Sequence, residues 1–150
     1  MKQELLTSAG LLQQPSASVV AEFAAKRDKL AARGNEIMGH RADHDKLVGR
    51  GNRDMARDNN RNFARFMQAQ FANYNPEVMV ETVLWVFQAY RSHGFKTTYW
   101  AANLNIWIDM LEDELSPQGF EAVSPLYEWL IVNIPVFTQL SDEALAHADE

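Results

Sequence analysis

The segment that decides the fold class is residues 76–92, which read PEVMVETVLWVFQAYRS. Its apolar and aromatic content suits either a buried strand or a buried helix. The segment is too long for a typical strand, and Pro76 stands at a position favoured in the first turn of a helix. On a helical wheel its few polar residues form one narrow strip, with Leu84 and Trp85 within or beside it. We therefore predict a nearly apolar helix that is central to the fold or shared with a partner subunit.

The regular spacing of glycine and proline predicts further helices on both sides of this segment, and no strand. We expect helices over residues 2–13, residues 18–33 with Gly34 as the stop, residues 36–48, residues 52–74 and residues 97–115. Ser116-Pro117 predicts the start of another helix, Ser124-Pro125 an interruption or restart, and Asn133-Ile134-Pro135 its end.

These lengths predict a single all-α domain over residues 1–150, a helical bundle of six to seven helices. Its 150 residues are enough to bury a core, and no linker divides the chain. Residues 1–16 are poorly patterned and are a candidate mobile N-terminal arm. Residues 141–150 are predicted to form a weak, acidic tail helix.

Composition excludes several classes of function. The chain has no cysteine, so disulfides, thiolate metal sites and cysteine nucleophiles are ruled out. A net charge of −6 argues against general nucleic-acid binding, because the protein repels phosphate backbones. The N-terminus lacks the apolar region of a signal peptide, and the most apolar run, residues 78–89, is too short to span a bilayer. We therefore expect a soluble, cytoplasmic protein with no nucleic-acid or membrane partner.

The most unusual feature of the sequence is a set of asparagines on the apolar face of the helix over residues 52–74. Asn52, Asn59 and Asn60 occupy positions on this face that should be apolar. Amides buried there must be hydrogen-bonded. They either bond to loop carbonyls beside the glycines at 49 and 51, or form the polar mouth of an aromatic pocket that binds a small molecule. The candidate ligand-binding residues are Asn52, Asn59, Asn60, Phe63, Tyr90, Arg91 and Trp100.

The histidines give weaker alternatives. His40 and His44 lie four residues apart on a predicted helix, a spacing that can place two imidazoles on one metal ion, although two solvent-exposed histidines also fit. His93 precedes Gly94 at a helix end, where the helix dipole favours a charged imidazole; the functional alternative is an axial haem ligand or a pH-sensitive switch. No catalytic residue is assigned, because no nucleophile, phosphate-binding loop or paired-carboxylate motif is present.

The architecture resembles the globin-like sensory domains of bacteria, namely the stressosome-type non-haem globins and their phycobiliprotein-like relatives. The resemblance rests on the leading helical extension, the helices over residues 17–140, and residues 85–91 followed by a Trp-rich helix. A haem globin has its proximal histidine inside a helix over the pocket, whereas His93 lies at a helix end. Bilin attaches through cysteine, which this chain lacks. The resemblance implies a dimeric sensor that does not require haem.

Three functions follow as hypotheses. The first is a non-enzymatic sensory or regulatory domain, a homodimer that binds a small apolar or amphipathic ligand, with Leu84, Trp85 and the N-terminal helices at the dimer face. The second is a haem or metal protein using His93, or His40 with His44. The third is a helical-bundle enzyme with a site around Asn59, Asn60, Tyr90 and Arg91.

Overall fold

The computed structural model describes residues 1–148, and within them every regular element is a helix, which confirms the all-α prediction. Eight helices occur in that part of the chain, rather than six to seven. They are α1 (Lys2–Ala9), α2 (Ala17–Gly39), α3 (His44–Val48), α4 (Arg53–Ala72), α5 (Pro76–Ser92), α6 (Thr97–Glu114), α7 (Pro117–Val132) and α8 (Ile134–Ala148). No helix among these is both long enough and apolar enough to cross a membrane.

Helix α6 lies at the centre of the fold, where it contacts α2, α7, α3 and α8. Its Trp107 is fully buried and makes an edge-to-face contact with Phe63 of α4, with ring centroids 5.5 Å apart. Tyr127 of α7 stacks on the same indole at 6.2 Å. Aromatic contacts of this kind stabilise beyond their burial alone. They fix α4, α6 and α7 relative to one another.

The prediction that Gly34 stops the second helix was wrong, because α2 continues through it to Gly39. Ser16, rather than Ser18, caps its N-terminus by accepting a hydrogen bond from the backbone N–H of Val19. Gly34 is buried at the contact with α6, where an added Cβ would lie 3.1 Å from Cε of Met110. This glycine allows two helices to approach closely; it does not end one.

The predicted helix over residues 36–48 was also wrong. Its first residues belong to α2, and a turn separates them from the short helix α3. Arg41 and Asp43 form an ion pair in that turn at 2.9 Å. His40 is therefore the C-cap of one helix, and His44 is the first residue of the next.

The C-terminal third has fewer interruptions than predicted. Helix α7 continues through Pro125, which lies on its exposed side, so the Ser124-Pro125 break was wrong. The carbonyl that loses its N–H partner belongs to Glu121, whose residue is also exposed, so water can satisfy it. The end after Val132 is confirmed, with Asn133 as the C-cap. Residues 141–148 continue α8 rather than forming a separate tail helix, and the rest of the predicted tail lies outside the described residues.

The N-terminal segment that the sequence marked as a candidate mobile arm is packed against the rest of the protein. Leu5 and Ala9 of α1 are buried, and α1 contacts α5. The hydroxyl of Tyr74 donates to the carbonyl of Ala9 at 2.6 Å, and Nε1 of Trp129 donates to Oγ of Ser8 at 2.9 Å. These bonds join the segment to two different parts of the fold.

The neighbours of α4 and α5 determine where the candidate site lies. Helix α4 packs mainly on α2, whereas α5 packs on α8 and α1. Asn75 caps α5 by accepting from the backbone N–H of Val78, and Pro76 takes the first position, as the sequence predicted. The two helices therefore have separate partners, and a space between them is left above α6.

Candidate functional site: a cavity between three helices

A cavity of about 210 Å³ lies between α4, α5 and α6. Its walls are mostly aromatic and aliphatic, and every lining residue within the described part of the chain is uncharged. The lining residues are Asn59, Asn62, Phe63, Phe66, Thr82, Val83, Trp85, Val86, Phe87, Tyr90, Trp100, Asn103, Leu104 and Leu130. An apolar cavity with a few polar groups is the usual composition of a small-molecule site.

Rings in contact with one another form the inner wall. Trp100 stacks on Phe87 with ring centroids 5.0 Å apart and an interplanar angle of 22°. Tyr90 meets the same indole edge-to-face at 5.6 Å. All three side chains are at most 8% exposed. This wall is therefore held by packing on several sides and presents a preformed surface.

The mouth of the cavity is on the surface between α4 and α5. Trp85 lines it and is 63% exposed, an unusually high exposure for tryptophan. Asn62, on the opposite helix, is also exposed. Trp85 therefore contacts both the cavity and solvent.

Two buried polar atoms on residues that line the cavity lack a hydrogen-bond partner among the described residues. They are Nε1 of Trp100 and Oδ1 of Asn103, whose residues are 6% and 2% exposed. Buried polar atoms in native proteins are nearly always paired, so each unpaired one calls for an explanation. One of the two atoms is a donor and the other is an acceptor.

Behind the cavity a chain of amides joins three helices. Nδ2 of Asn103 and Nε1 of Trp107 both donate to Oδ1 of Asn60, at 2.9 and 3.0 Å. Nδ2 of Asn60 donates to Oδ1 of Asn35 on α2 at 2.9 Å. Asn35 is half-buried, so the chain runs from near the surface to the cavity wall. Asn60 thus accepts two hydrogen bonds through Oδ1 and donates one through Nδ2 within this chain.

Four of the seven predicted site residues line the cavity, namely Asn59, Phe63, Tyr90 and Trp100. Asn59 also donates through Nδ2 to the hydroxyl of buried Tyr99 at 3.0 Å. The predicted pocket lined by Phe63, Tyr90 and Trp100 therefore exists as a geometric feature. That these residues bind a ligand stays a prediction.

The other three predicted residues lie elsewhere. Asn52 donates through Nδ2 to the carbonyls of Val48 and His93, at 2.8 and 2.7 Å, which is the loop-tying alternative. Asn60 lies behind the wall, within the amide chain. Arg91 joins α5 to α8 by donating to Oγ of Ser141 at 2.7 Å and pairing with Asp142. These contacts of its guanidinium group with α8 direct Arg91 away from the cavity.

The candidate histidines do not line the cavity. His93 is exposed at the C-cap of α5. His44 is buried, and burial lowers the pKa of its imidazole, with the charge of Arg53 adding to the effect. Because α2 ends before His44, the expectation that His40 and His44 share one helix was wrong. The described residues contain no group of three or more His, Asp or Glu side chains placed to hold a metal ion.

Asn103 was missed by the sequence analysis. The signal that could have found it is the one applied to α4, a polar residue on an apolar stripe. Asn103 lies three residues after Trp100 and four before Trp107, on the buried face of α6. Applying the same wheel to α6 would have predicted a fourth buried amide.

Among the described lining residues, Tyr90 carries the titratable group of the cavity. Burial raises the pKa of the Tyr90 hydroxyl, and the carboxylate of Asp58 adds to that shift, so Tyr90 stays neutral at physiological pH. Tyr90 is also the only acidic or basic side chain among the described lining residues. No protein-family profile, curated protein or solved structure matches the chain.

Proposed function

We propose that this protein is a non-enzymatic sensory or regulatory domain that binds a small molecule in the cavity between α4, α5 and α6. The observation that carries the proposal is the cavity itself, which has a volume of about 210 Å³, largely apolar walls, no charged residue among its described lining residues, and Trp85 exposed at its mouth. A small uncharged molecule that fills this cavity would bury its apolar surface against a preformed aromatic wall.

The sensory part of the proposal rests on Trp85, which lines the cavity and is exposed on α5. A ligand that displaces this side chain changes the exposed face of α5. Val78, one heptad earlier on that helix, is 44% exposed and extends the same face. We propose that this face is a homodimer contact, so that ligand binding biases the packing of two copies.

Membership of the globin-like sensory class is part of the same proposal. Its support is the all-helical architecture with a helix, α1, ahead of the main body. We favour the non-haem form, because the described residues that line the cavity include no histidine. An apolar-walled cavity that lacks an iron ligand suits a small uncharged molecule better than a haem.

The binding proposal is tested by filling the cavity. Uncharged aromatic compounds of one or two rings are screened by saturation-transfer NMR against the wild type and Val83→Phe, which adds a ring to the cavity wall. Val132→Phe, at an exposed site on α7, is the matched control. We expect compounds with Kd of about 1 mM or tighter that bind the wild type and the control, and lose at least tenfold affinity in Val83→Phe.

Two results would overturn the proposal. One is a wild type that binds none of the compounds at millimolar concentration. The other is a set of compounds that bind the Val83→Phe variant as tightly as the wild type, which would place binding elsewhere. Thermal melts of both variants, followed by circular dichroism, check that each is folded.

The haem alternative has a separate test. Purified protein is titrated with haemin, and the visible spectrum is recorded for the wild type and for His93→Ala. We expect no Soret band that depends on His93, because that residue is exposed at a helix end. A sharp Soret band that disappears in the variant would favour a haem sensor and overturn the non-haem proposal.

A further inference from the structure

A second concave surface of the protein is a groove that differs from the cavity in its charge. Its volume is about 800 Å³, and it lies where α3, the end of α5, the start of α6 and α8 meet. Its described lining residues include four cations and one carboxylate, namely Arg41, Lys46, Arg91, Lys96 and Asp43. The chain as a whole has a net charge of −6, so the groove has the opposite sign of charge to the whole protein.

Two of the four cations are already ion-paired. Arg41 pairs with a carboxylate of its own turn at 2.9 Å, and Arg91 pairs with one on α8 at 2.6 Å. Lys46 and Lys96 are exposed, and neither forms an ion pair with any described residue. The groove therefore carries two positive charges that the described part of the chain does not neutralise.

The backbone brings these two lysines together. The N–H of Lys96 donates to the carbonyl of Leu47, the residue next to Lys46, at 2.8 Å. Nδ2 of Asn52 ties the same two segments a second time, with bonds of 2.8 and 2.7 Å to a carbonyl in each. Folding therefore holds the backbones of the two lysines side by side, although their like charges repel each other. A bound anion would relieve that repulsion.

A pair of glycines allows the two segments to approach so closely. Gly49 and Gly94 have φ angles of 91° and 106°, which side chains other than that of glycine rarely adopt. A Cβ at Gly49 would lie 3.2 Å from the carbonyl oxygen of Gly94 and 2.9 Å from Nδ2 of Asn52. The segments of Lys46 and Lys96 therefore meet at a point where there is no room for a side chain.

The remaining walls of the groove offer hydroxyl groups and apolar surface. Thr97 and Thr98 line it, and their hydroxyls are hydrogen-bond donors, as are lysine ammonium groups, which are common ligands of phosphate. Ala102 and Leu145 line it as well and are half-buried. Its volume is within the range of sites for small molecules, roughly 300–1,000 Å³. A concave site of this composition suits a phosphate group joined to a small apolar group.

We propose that the groove binds a small organic phosphate. The ammonium groups of Lys46 and Lys96 contact the phosphate oxygens, and the organic part lies against Ala102 and Leu145. The groove and the cavity between α4, α5 and α6 share no described lining residue. This inference therefore does not rest on the proposed function.

The test compares phenyl phosphate with inorganic phosphate on the wild-type protein, by calorimetry at low salt and near neutral pH. We expect phenyl phosphate to bind with a Kd of about 1 mM or tighter, and inorganic phosphate to bind at least about threefold more weakly. Raising the salt concentration should weaken both, because the lysines are exposed. In ¹H–¹⁵N spectra, the amide signals of Thr97 and Thr98 should shift when phenyl phosphate is added.

Matched variants locate the binding. Lys46→Gln and Lys96→Gln should each weaken the binding of phenyl phosphate by about fivefold. Arg65→Gln is the control, because Arg65 is also exposed and without an ion pair among the described residues, but does not line the groove. Val83→Phe, which fills the cavity, should leave the binding of phenyl phosphate unchanged. Thermal melts check that every variant is folded.

The outcomes separate this site from the cavity and from a membrane contact. Phenyl phosphate that fails to bind at millimolar concentration, or that binds both lysine variants as tightly as Arg65→Gln, would overturn the inference. Binding that is lost in Val83→Phe would place the probe in the cavity and overturn it as well. Equal affinity for inorganic phosphate would show that the organic part is wrong. If the protein instead sediments with phosphatidylserine vesicles through the two lysines and does not bind phenyl phosphate, the groove is a membrane contact and the small-molecule inference is wrong.

Discussion

Asn60 of α4 accepts a hydrogen bond of 2.9 Å from Nδ2 of Asn103 on α6, and both residues are at most 2% exposed. The same oxygen accepts from Trp107, and the amino group of Asn60 donates to Asn35. The amide of Asn60 therefore bonds to three other side chains, two amides and one indole, and joins α4 to both α2 and α6.

Replacing Asn60 should be strongly destabilising. Asn60→Leu keeps a side chain of similar size but leaves the donors of Asn103 and Trp107 unpaired. At about 1–3 kcal/mol for each buried unpaired group, we expect a loss of about 2–6 kcal/mol in the free energy of unfolding. Urea denaturation measures it. Asn62→Leu, at an exposed position of the same helix, is the control and should change stability by less than about 0.5 kcal/mol.

The two glycines near the end of α2 form a matched pair. An added Cβ at Gly39 meets no atom within 4 Å, whereas at Gly34 it lies 3.1 Å from Met110, which is buried. Gly39→Ala should stabilise by about 0.5–1 kcal/mol through helix propensity. Gly34→Ala should destabilise by about 1 kcal/mol, because the packed core resists the added methyl group. Equal melting temperatures for the two variants would show that α2 and α6 are not in close contact.

Acid should weaken the start of α7. The carboxylate of Glu22 accepts from the backbone N–H of Ser116 at 2.7 Å and from its hydroxyl at 2.8 Å. The backbone bond is the main cause of a lowered pKa at Glu22, to which the hydroxyl and Lys26 add. A lowered folded-state pKa stabilises the protein above the ordinary value of 4.5, and this stabilisation is lost as the pH falls through the folded-state value.

Glu22→Gln should therefore reduce the fall in melting temperature below pH 4.5. The measurement is a series of thermal melts from pH 6 down to the acid limit of folding. Ser116→Ala removes the hydroxyl donor, so in that background the effect of Glu22→Gln should be smaller. An unchanged acid dependence in Glu22→Gln would contradict the assigned pairing.

The proposed dimer contact on α5 gives a prediction about assembly. We expect the wild type to be a dimer by analytical ultracentrifugation, and Trp85→Lys to be a monomer because it places a charge on the exposed apolar face. Val132→Lys is the control, since Val132 is 73% exposed on α7. A wild type that stays monomeric at high concentration would rule out the contact.

The helix bounds that could be predicted are those fixed by local chemistry. Helix α5 has the predicted bounds, Pro76 and Ser92, because its N-cap and its first-turn proline act within a few residues. The stop at Gly34 and the break at Pro125 could not be judged in the same way. Whether a glycine ends a helix or admits a neighbour depends on α6, and whether a proline breaks one depends on which face meets water.

Among the cavity residues, too, some positions could be predicted from one helix alone and others depended on neighbouring helices. A wheel of each helix alone placed Asn59, Phe63, Tyr90 and Trp100 toward the interior, and these four residues share one cavity. It could not separate Asn59 from Asn60, which are adjacent in sequence but point to different neighbours. Asn59 lines the cavity, whereas Asn60 bonds to α2 and α6. That distinction depends on the positions of the surrounding helices.

Trp107 does not line the cavity, yet it fixes the orientation of the amide of Asn103, a residue that does. Because the indole of Trp107 can only donate, the oxygen of Asn60 must face α6. Asn103 then donates to that oxygen through Nδ2, so its own Oδ1 points away from Asn60. The indole of Trp107 thus sets the orientation of the Asn60 amide, which in turn sets that of the Asn103 amide. Trp107→Phe would therefore release the orientation of both amides without altering either asparagine.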